Sequence, residues 1–186
     1  RAYDNIIHDV ALTSRHVVFM IDRAGISGRD GETHQGIFDI SFLSHIPNMK
    51  IFTPLTDKEL EKAIDTAINV ETGPVAIRYP KGLAPDGEKP EDIYKAVKLR
   101  DGSSVTVVSV SYMTEVVKNA EFDGDHFHLN SIIPLDLDAI KKSVLKTKRL
   151  VTVEDSIIKG GMGELISNSL VKDGIFVQTE NLGVDE

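Results

Sequence analysis

Residues 22–38, "DRAGISGRDGETHQGIF", hold two arginines, three acids, one histidine and four glycines, with no apolar periodicity. The run Val17, Val18, Phe19, Met20 and Ile21 leads into them and reads as a buried strand. In open parallel sheets, ligands bind beyond the carboxyl ends of strands, and this charged loop stands at such an end. Arg23 leaves the strand first and could grip a phosphate or carboxylate at two points. His34 titrates near neutrality and could move a proton. Asp30 could orient a hydroxyl or that imidazole. The glycines allow tight turns and close approach of backbone to a ligand. On chemistry alone, a solvated loop with ordinary surface ion pairs explains the same residues equally well.

The elements around the loop set its place. Residues 1–13 read as a helix with Ala2, Ile6 and Val10 on one stripe and Ile7 and Ala11 beside it. Strand 16–22 follows, then the loop, a short helix near 39–46 and a strand over 49–54. Thr56 with Glu59 forms a capping-box pattern, and Leu60, Ala63, Ile64, Ala67 and Ile68 give the next helix its apolar face. "PVAIRYP" (74–80) is another buried strand. Helices between continuous apolar strands imply parallel βαβ units.

Residues 81–96 break the rhythm with glycine, proline and charge and read as a linker. Alternation resumes with strands at 104–110, 125–130, 149–154 and 175–178, and helices near 112–120, 136–146 and 161–172. The expected fold class is α/β, with two parallel-sheet units at 1–80 and 97–186.

Composition narrows the function classes. The 186 residues carry a net charge of −8 and are 41% hydrophobic and 27% charged. An acidic chain of this kind argues against a nucleic-acid or anionic-membrane surface. Cysteine is absent, so no thiolate metal site or disulfide framework is available. No apolar run approaches the roughly 20 residues of a membrane helix, and no signal peptide is visible. A cytoplasmic setting is expected, with no nucleic-acid or membrane partner. The start at Arg1, inside a helical pattern, suggests a piece of a longer protein.

Four further features have a bland reading and a functional one. "KGGMGE" (159–164) opens a helix and could bind an anion, though a glycine turn for close helix packing explains it better. His126 and His128 fall on one face of a strand. An edge or surface position is the simpler reading, since no third metal ligand is close. Glu154 and Asp155 end a strand and read as structural. The lysines at 141, 142, 146 and 148 read as a solvated helix face.

"RAYDNIIHDVAL", "IDRAGISGRDGETHQGIFD", "IPNMKIFTP" and "GPVAIRYPKG" resemble, in order over residues 1–82, the 1-deoxy-D-xylulose-5-phosphate synthase family. That family is a transketolase-like, thiamin-diphosphate-dependent group of transferases. The resemblance implies part of a pyrimidine-binding domain over 1–80, a linker at 81–96 and a transketolase C-terminal domain over 97–186. It implies condensation of pyruvate with D-glyceraldehyde 3-phosphate, with loss of CO2, to 1-deoxy-D-xylulose 5-phosphate. That product feeds isoprenoid, thiamin and pyridoxal biosynthesis.

By the same resemblance, Arg1 and Arg23 stand where the family binds the acceptor phosphate. Lys81 stands where several members have arginine, so it keeps the charge and loses the planar fork. His34 matches the active-site histidine, and Asp30 an acid on the sugar hydroxyls. The family's thiamin diphosphate and Mg2+ residues precede Arg1, so no cofactor-binding or metal residue, and no cofactor bound to the fragment alone, is expected here. The fragment alone should be inactive, and the whole enzyme a homodimer. Two rivals stand beside this reading: a piece of another transketolase-superfamily enzyme, or a non-catalytic dimerisation or interaction module.

Overall fold

A computed structural model describes residues 2–28, 31–82 and 84–185. The chain begins with α1 (Ala2–Asn5), which passes directly into a π-helical stretch, Ile6–Ala11. The wider turn appears in the bond from Leu12 N–H to Ile7 O at 2.9 Å, five residues back. Ala11 is buried and Ile6 and Ile7 pack on the core, whereas Ala2, expected on the same stripe, is exposed.

Strands β1 (Val18–Ile21), β2 (Lys50–Phe52) and β3 (Val75–Arg78) are parallel, with β3 central. Helix α2 (Asp39–Leu43) follows the charged loop, and α3 (Asp57–Asn69) joins β2 to β3. The capping box on α3 is formed. Glu59 N–H donates to Thr56 Oγ1 at 3.1 Å, and Thr56 N–H donates back to Glu59 Oε2 at 3.0 Å. Ala63 and Ala67 are buried as expected, but Ile68 is exposed at the end of the helix.

The second sheet has the order β4-β6-β5-β8-β9. Its strands are β4 (Ala96–Arg100), β5 (Val105–Val110), β6 (Gly124–Leu129), β8 (Arg149–Ile157) and β9 (Gln178–Val184). Helices α4 (Met113–Lys118), α5 (Asp138–Thr147) and α6 (Met162–Lys172) connect the parallel strands. Strand β4 was not expected. It pairs antiparallel with β6 and begins where the linker was predicted to end. A second unexpected strand, β7 (Ser131–Ile133), follows β6 but pairs antiparallel with β2, so it closes the first sheet in the order β1-β3-β2-β7. Both sheets are therefore parallel inside with an antiparallel strand at one edge, a common arrangement in large α/β proteins.

One apolar cluster runs through both units. It includes Ile40, Ile51 and Ala76 from the first and Val108, Phe127, Ile140 and Ile166 from the second. On the other face of the first sheet, Phe52, Val75 and Ile77 pack against Ala63 and Ala67 of α3. Among the described residues no helix is long and apolar enough to cross a membrane.

The expectation of an edge or surface position for His126 and His128 is corrected. Strand β6 lies between β4 and β5, and both rings are buried. His126 Nε2 is 2.7 Å from Ser109 Oγ, and His128 Nδ1 is 2.8 Å from Thr114 Oγ1. His128 Nε2 is 3.2 Å from Asn130 Oδ1 and, across the junction of the units, 3.5 Å from Glu59 Oε2. Covering by α4 and α3 turns a plausible surface pair into a buried network, in which both ring nitrogens of His128 have partners and His126 Nδ1 has none.

Candidate functional site

The loop after β1 is folded back on itself. Gly25 N–H donates to Gly36 O at 2.8 Å and Gly36 N–H returns to Gly25 O at 2.9 Å. At Gly36 a Cβ would lie 2.2 Å from Arg23 O, so only glycine permits this crossing. Gln35 fastens the turn between. Its Oε1 accepts from Ser27 N–H at 2.6 Å and its Nε2 donates to Gly31 O at 2.7 Å.

Arg23 takes a left-handed backbone conformation, φ 60°. Its N–H is held by Asp22 Oδ1 at 2.8 Å and its guanidinium by Asp22 Oδ2 at 2.7 Å. The arginine is half exposed and already carries a carboxylate partner, a point that the sequence reading missed. Lys81 leaves the neighbouring parallel strand β3. The two strand ends are tied by Ala24 N–H donating to Tyr79 O at 3.0 Å, so Arg23 and Lys81 emerge from adjacent strand ends. His34 closes a one-turn 3-10 helix (Glu32–His34), is exposed, and has Nδ1 2.9 Å from Thr33 Oγ1. It joins the same region through Gly36, two residues on. Arg1 and Asp30 lie outside the described residues.

A cavity of about 590 Å³ opens beside the loop, between the two units. Ala24, Ile26 and Lys81 line it from the first unit, and Tyr112, Asp155 and Leu182 from the second. A smaller one of about 350 Å³ adjoins it across Pro80, Lys81 and Tyr112. Arg23 and His34 do not line either cavity. Among the described residues, Lys81 is the predicted site residue that does.

Beneath the loop lies a buried ion-pair cluster that sequence reasoning did not find. Arg78, 1% exposed, donates from Nε to Asp39 Oδ2 at 2.8 Å and from Nη1 to Asp155 Oδ1 at 2.9 Å. Burial alone would lower the guanidinium's pKa, but the charges of Asp155 and Asp39 outweigh it and hold Arg78 protonated. Glu154 turns the other way, into the start of α6. Its oxygens accept from Met162 N–H at 2.9 Å and Gly163 N–H at 2.8 Å, and also from Ser156 Oγ. Burial pushes its carboxyl pKa up against these bonds. The first amides of α6 are thus satisfied by a carboxylate from the protein itself. At Gly163 a Cβ would meet Thr152 Oγ1 at 2.3 Å, which supports the close-packing reading of "KGGMGE".

The described residues hold no group of three or more His, Cys, Asp or Glu suited to a metal ion. With the α6 amides also occupied, the described residues do not fit a magnesium–diphosphate group. What the arrangement offers is cationic side chains at adjacent strand ends beside an apolar cleft, with the His34 ring on the loop between β1 and α2.

Comparison with known proteins agrees with this architecture. Residues 1–86 match the transketolase pyrimidine-binding domain and residues 94–184 the transketolase C-terminal domain. The 1-deoxy-D-xylulose-5-phosphate synthase of Bacteroides fragilis is 39% identical over 100% of the chain, which spans 31% of that protein. Those of Heliobacterium modesticaldum and Clostridium tetani are 38% and 37% identical over 100% and 98% of the chain, covering 30% and 31% of the relatives. The chain thus spans under a third of the length of these relatives. A solved chain of a split-gene transketolase, described as an inactive β4 tetramer, superposes with a TM-score of 0.85 at 22% identity, over 100% of this chain and 63% of its own. With both domain matches in order and both sheets in place, the chain belongs to the transketolase family and resembles its 1-deoxy-D-xylulose-5-phosphate synthases.

Proposed function

We propose that this chain forms the acceptor-side wall of a 1-deoxy-D-xylulose-5-phosphate synthase. The whole enzyme joins pyruvate to D-glyceraldehyde 3-phosphate with loss of CO2. The observation that carries the reading is the emergence of Arg23 and Lys81 from adjacent parallel strand ends, beside the loop that bears His34 and folds back on itself at Gly25 and Gly36. Cations so placed suit a phosphorylated acceptor, and Arg1 joins them on this reading. Addition to the aldehyde leaves its oxygen needing a proton, and His34 is the group suited to deliver it. Asp30 orients the acceptor hydroxyls.

Thiamin diphosphate, bound with Mg2+ by the remainder of the protein, supplies the carbanion chemistry. The protein works as a homodimer in the cytoplasm. The chain divides into units at 1–80 and 97–186 joined through 81–96, a division that the spans of the two domain matches support.

Steady-state kinetics on the full-length protein tests the reading. Arg23→Ala removes a charge-assisted contact worth roughly 1.5–3 kcal/mol. The acceptor's apparent affinity should therefore fall by about one to two decades while that of pyruvate changes little. His34→Ala should act on turnover, by about 10²–10⁴-fold. If Arg23→Ala weakened both substrates equally, or His34→Ala left turnover intact, the loop would be an ordinary charged surface loop.

A further inference from the structure

The second sheet grips the candidate loop at three places. Asp155 abuts Gly25, where a Cβ would lie 2.4 Å from Asp155 Oδ2 and 2.6 Å from its Cγ. Ile157 N–H donates to Ile37 O at 2.8 Å. Gly160, φ 73°, packs on Ser41 of α2, where a Cβ would lie 2.7 Å from Ser41 Oγ. The loop's entry, its exit and the helix after it thus all rest on one strand and turn of the other unit.

Asp155 is the centre of this grip. One carboxylate oxygen faces Gly25, and the other holds Arg78 Nη1. Arg78 Nε holds Asp39, the first residue of α2 and the end of the loop. Arg78 also pairs in register with Ile21, the residue before the loop begins. A single carboxylate therefore touches the loop directly at Gly25 and reaches its far end through the guanidinium. The group is 4% exposed, so water does not loosen the linkage.

We propose that Asp155 is a positioning residue for loop 22–37: it sets the spacing of Arg23 and His34 through Gly25 and through the Arg78–Asp39 pair. Its consequence for the acceptor rests on the function proposed above. A counterion for Arg78 needs only a negative charge at this point. A positioning residue needs the length of aspartate, because Gly25 leaves no room for more.

Two substitutions in the full-length protein separate these roles. Asp155→Asn keeps the shape and removes the charge. Asp155→Glu keeps the charge and extends into the space against Gly25, so it remains informative if the asparagine variant fails to fold. Amide exchange is read at Gly25 and Gly36 against amides of β3, together with KM for each substrate. Both variants should exchange faster at the loop than at the sheet. The acceptor KM should rise by about tenfold or more, within the roughly 10²-fold that small misplacements cost, with the pyruvate KM little changed. If Asp155→Glu matched the parent in loop exchange and acceptor KM, the carboxylate would be only a counterion and the proposal would be overturned. It would also be overturned if loop and sheet amides exchanged in step in Asp155→Asn. Faster loop exchange with no substrate selectivity would uphold the positioning and refute the acceptor reading instead.

Discussion

Glu59 joins helix α3 of the first unit to the buried His128 of the second, and its ionisation should contribute measurably to stability. Burial by itself would raise its pKa. The hydrogen bond and charge of His128, with the N–H groups of Thr56 and Leu55, outweigh burial and bring it from 4.5 to about 2. At about 1.4 kcal/mol per pH unit, ionised Glu59 stabilises the fold by ~3 kcal/mol relative to the unfolded chain. A depressed carboxyl pKa contributes fully above 4.5 and loses its contribution as pH falls through about 2. Glu59→Gln removes the titration and keeps the shape. Urea unfolding of parent and variant, followed by circular dichroism at pH steps from 6 to 2, isolates the pH-dependent part. The stability gap between the two should shrink by ~3 kcal/mol across that range. A gap that stays constant with pH would show that Glu59 has the same pKa folded and unfolded, and the inter-unit network would then be neutral in its electrostatics.

Two more measurements address the second unit. His126 should titrate at about 4 in ring NMR spectra, lowered from 6.5 first by burial and then by the charges of Arg100, His128 and Lys118. Its share of stability is present above pH 6.5 and lost as pH falls through about 4, and a ring that titrates near its ordinary value would contradict the buried placement. Gly163→Ala should cost about 1–3 kcal/mol in denaturant unfolding, because the new methyl meets the Thr152–Asn181 hydrogen bond with no room to spare.

The parallel strands were legible because each is a short apolar run between turn signals, and α3 because its cap is written in Thr56 and Glu59. Strand β4, "AVKLR", escaped because it is only partly buried, with Lys98 and Leu99 exposed and charges at two of its five positions, so it carries little apolar signal. Strand β7 is three residues long and borrows its partner from the other unit. The two histidines were placed on one face by alternation alone, but whether that face is covered depends on where α4 and α3 come to rest. At the site, the loop and its charges were visible as residue types. The Arg78 cluster was not, because its partners stand 39 and 77 residues away and "AIRYP" reads locally as any strand end. The Asp22 partner of Arg23 sat in plain view, yet adjacency in sequence does not say whether two side chains turn toward each other.

Strand β7 also has a bearing on how the chain assembles during synthesis. Thr53 Oγ1 donates to Leu129 O across 76 residues, and β7 lies beyond it. The first sheet therefore has a bare edge at β2 until β4, β5 and β6 of the second unit have emerged and β7 follows them. Pairings this distant are slow to form because loop closure precedes any gain from the contact. An exposed β2 edge in the nascent chain is a place where other strands can dock wrongly. A truncation within the linker would make that transient edge permanent, so cutting the chain between its two units should yield an aggregating first half, not an independent domain.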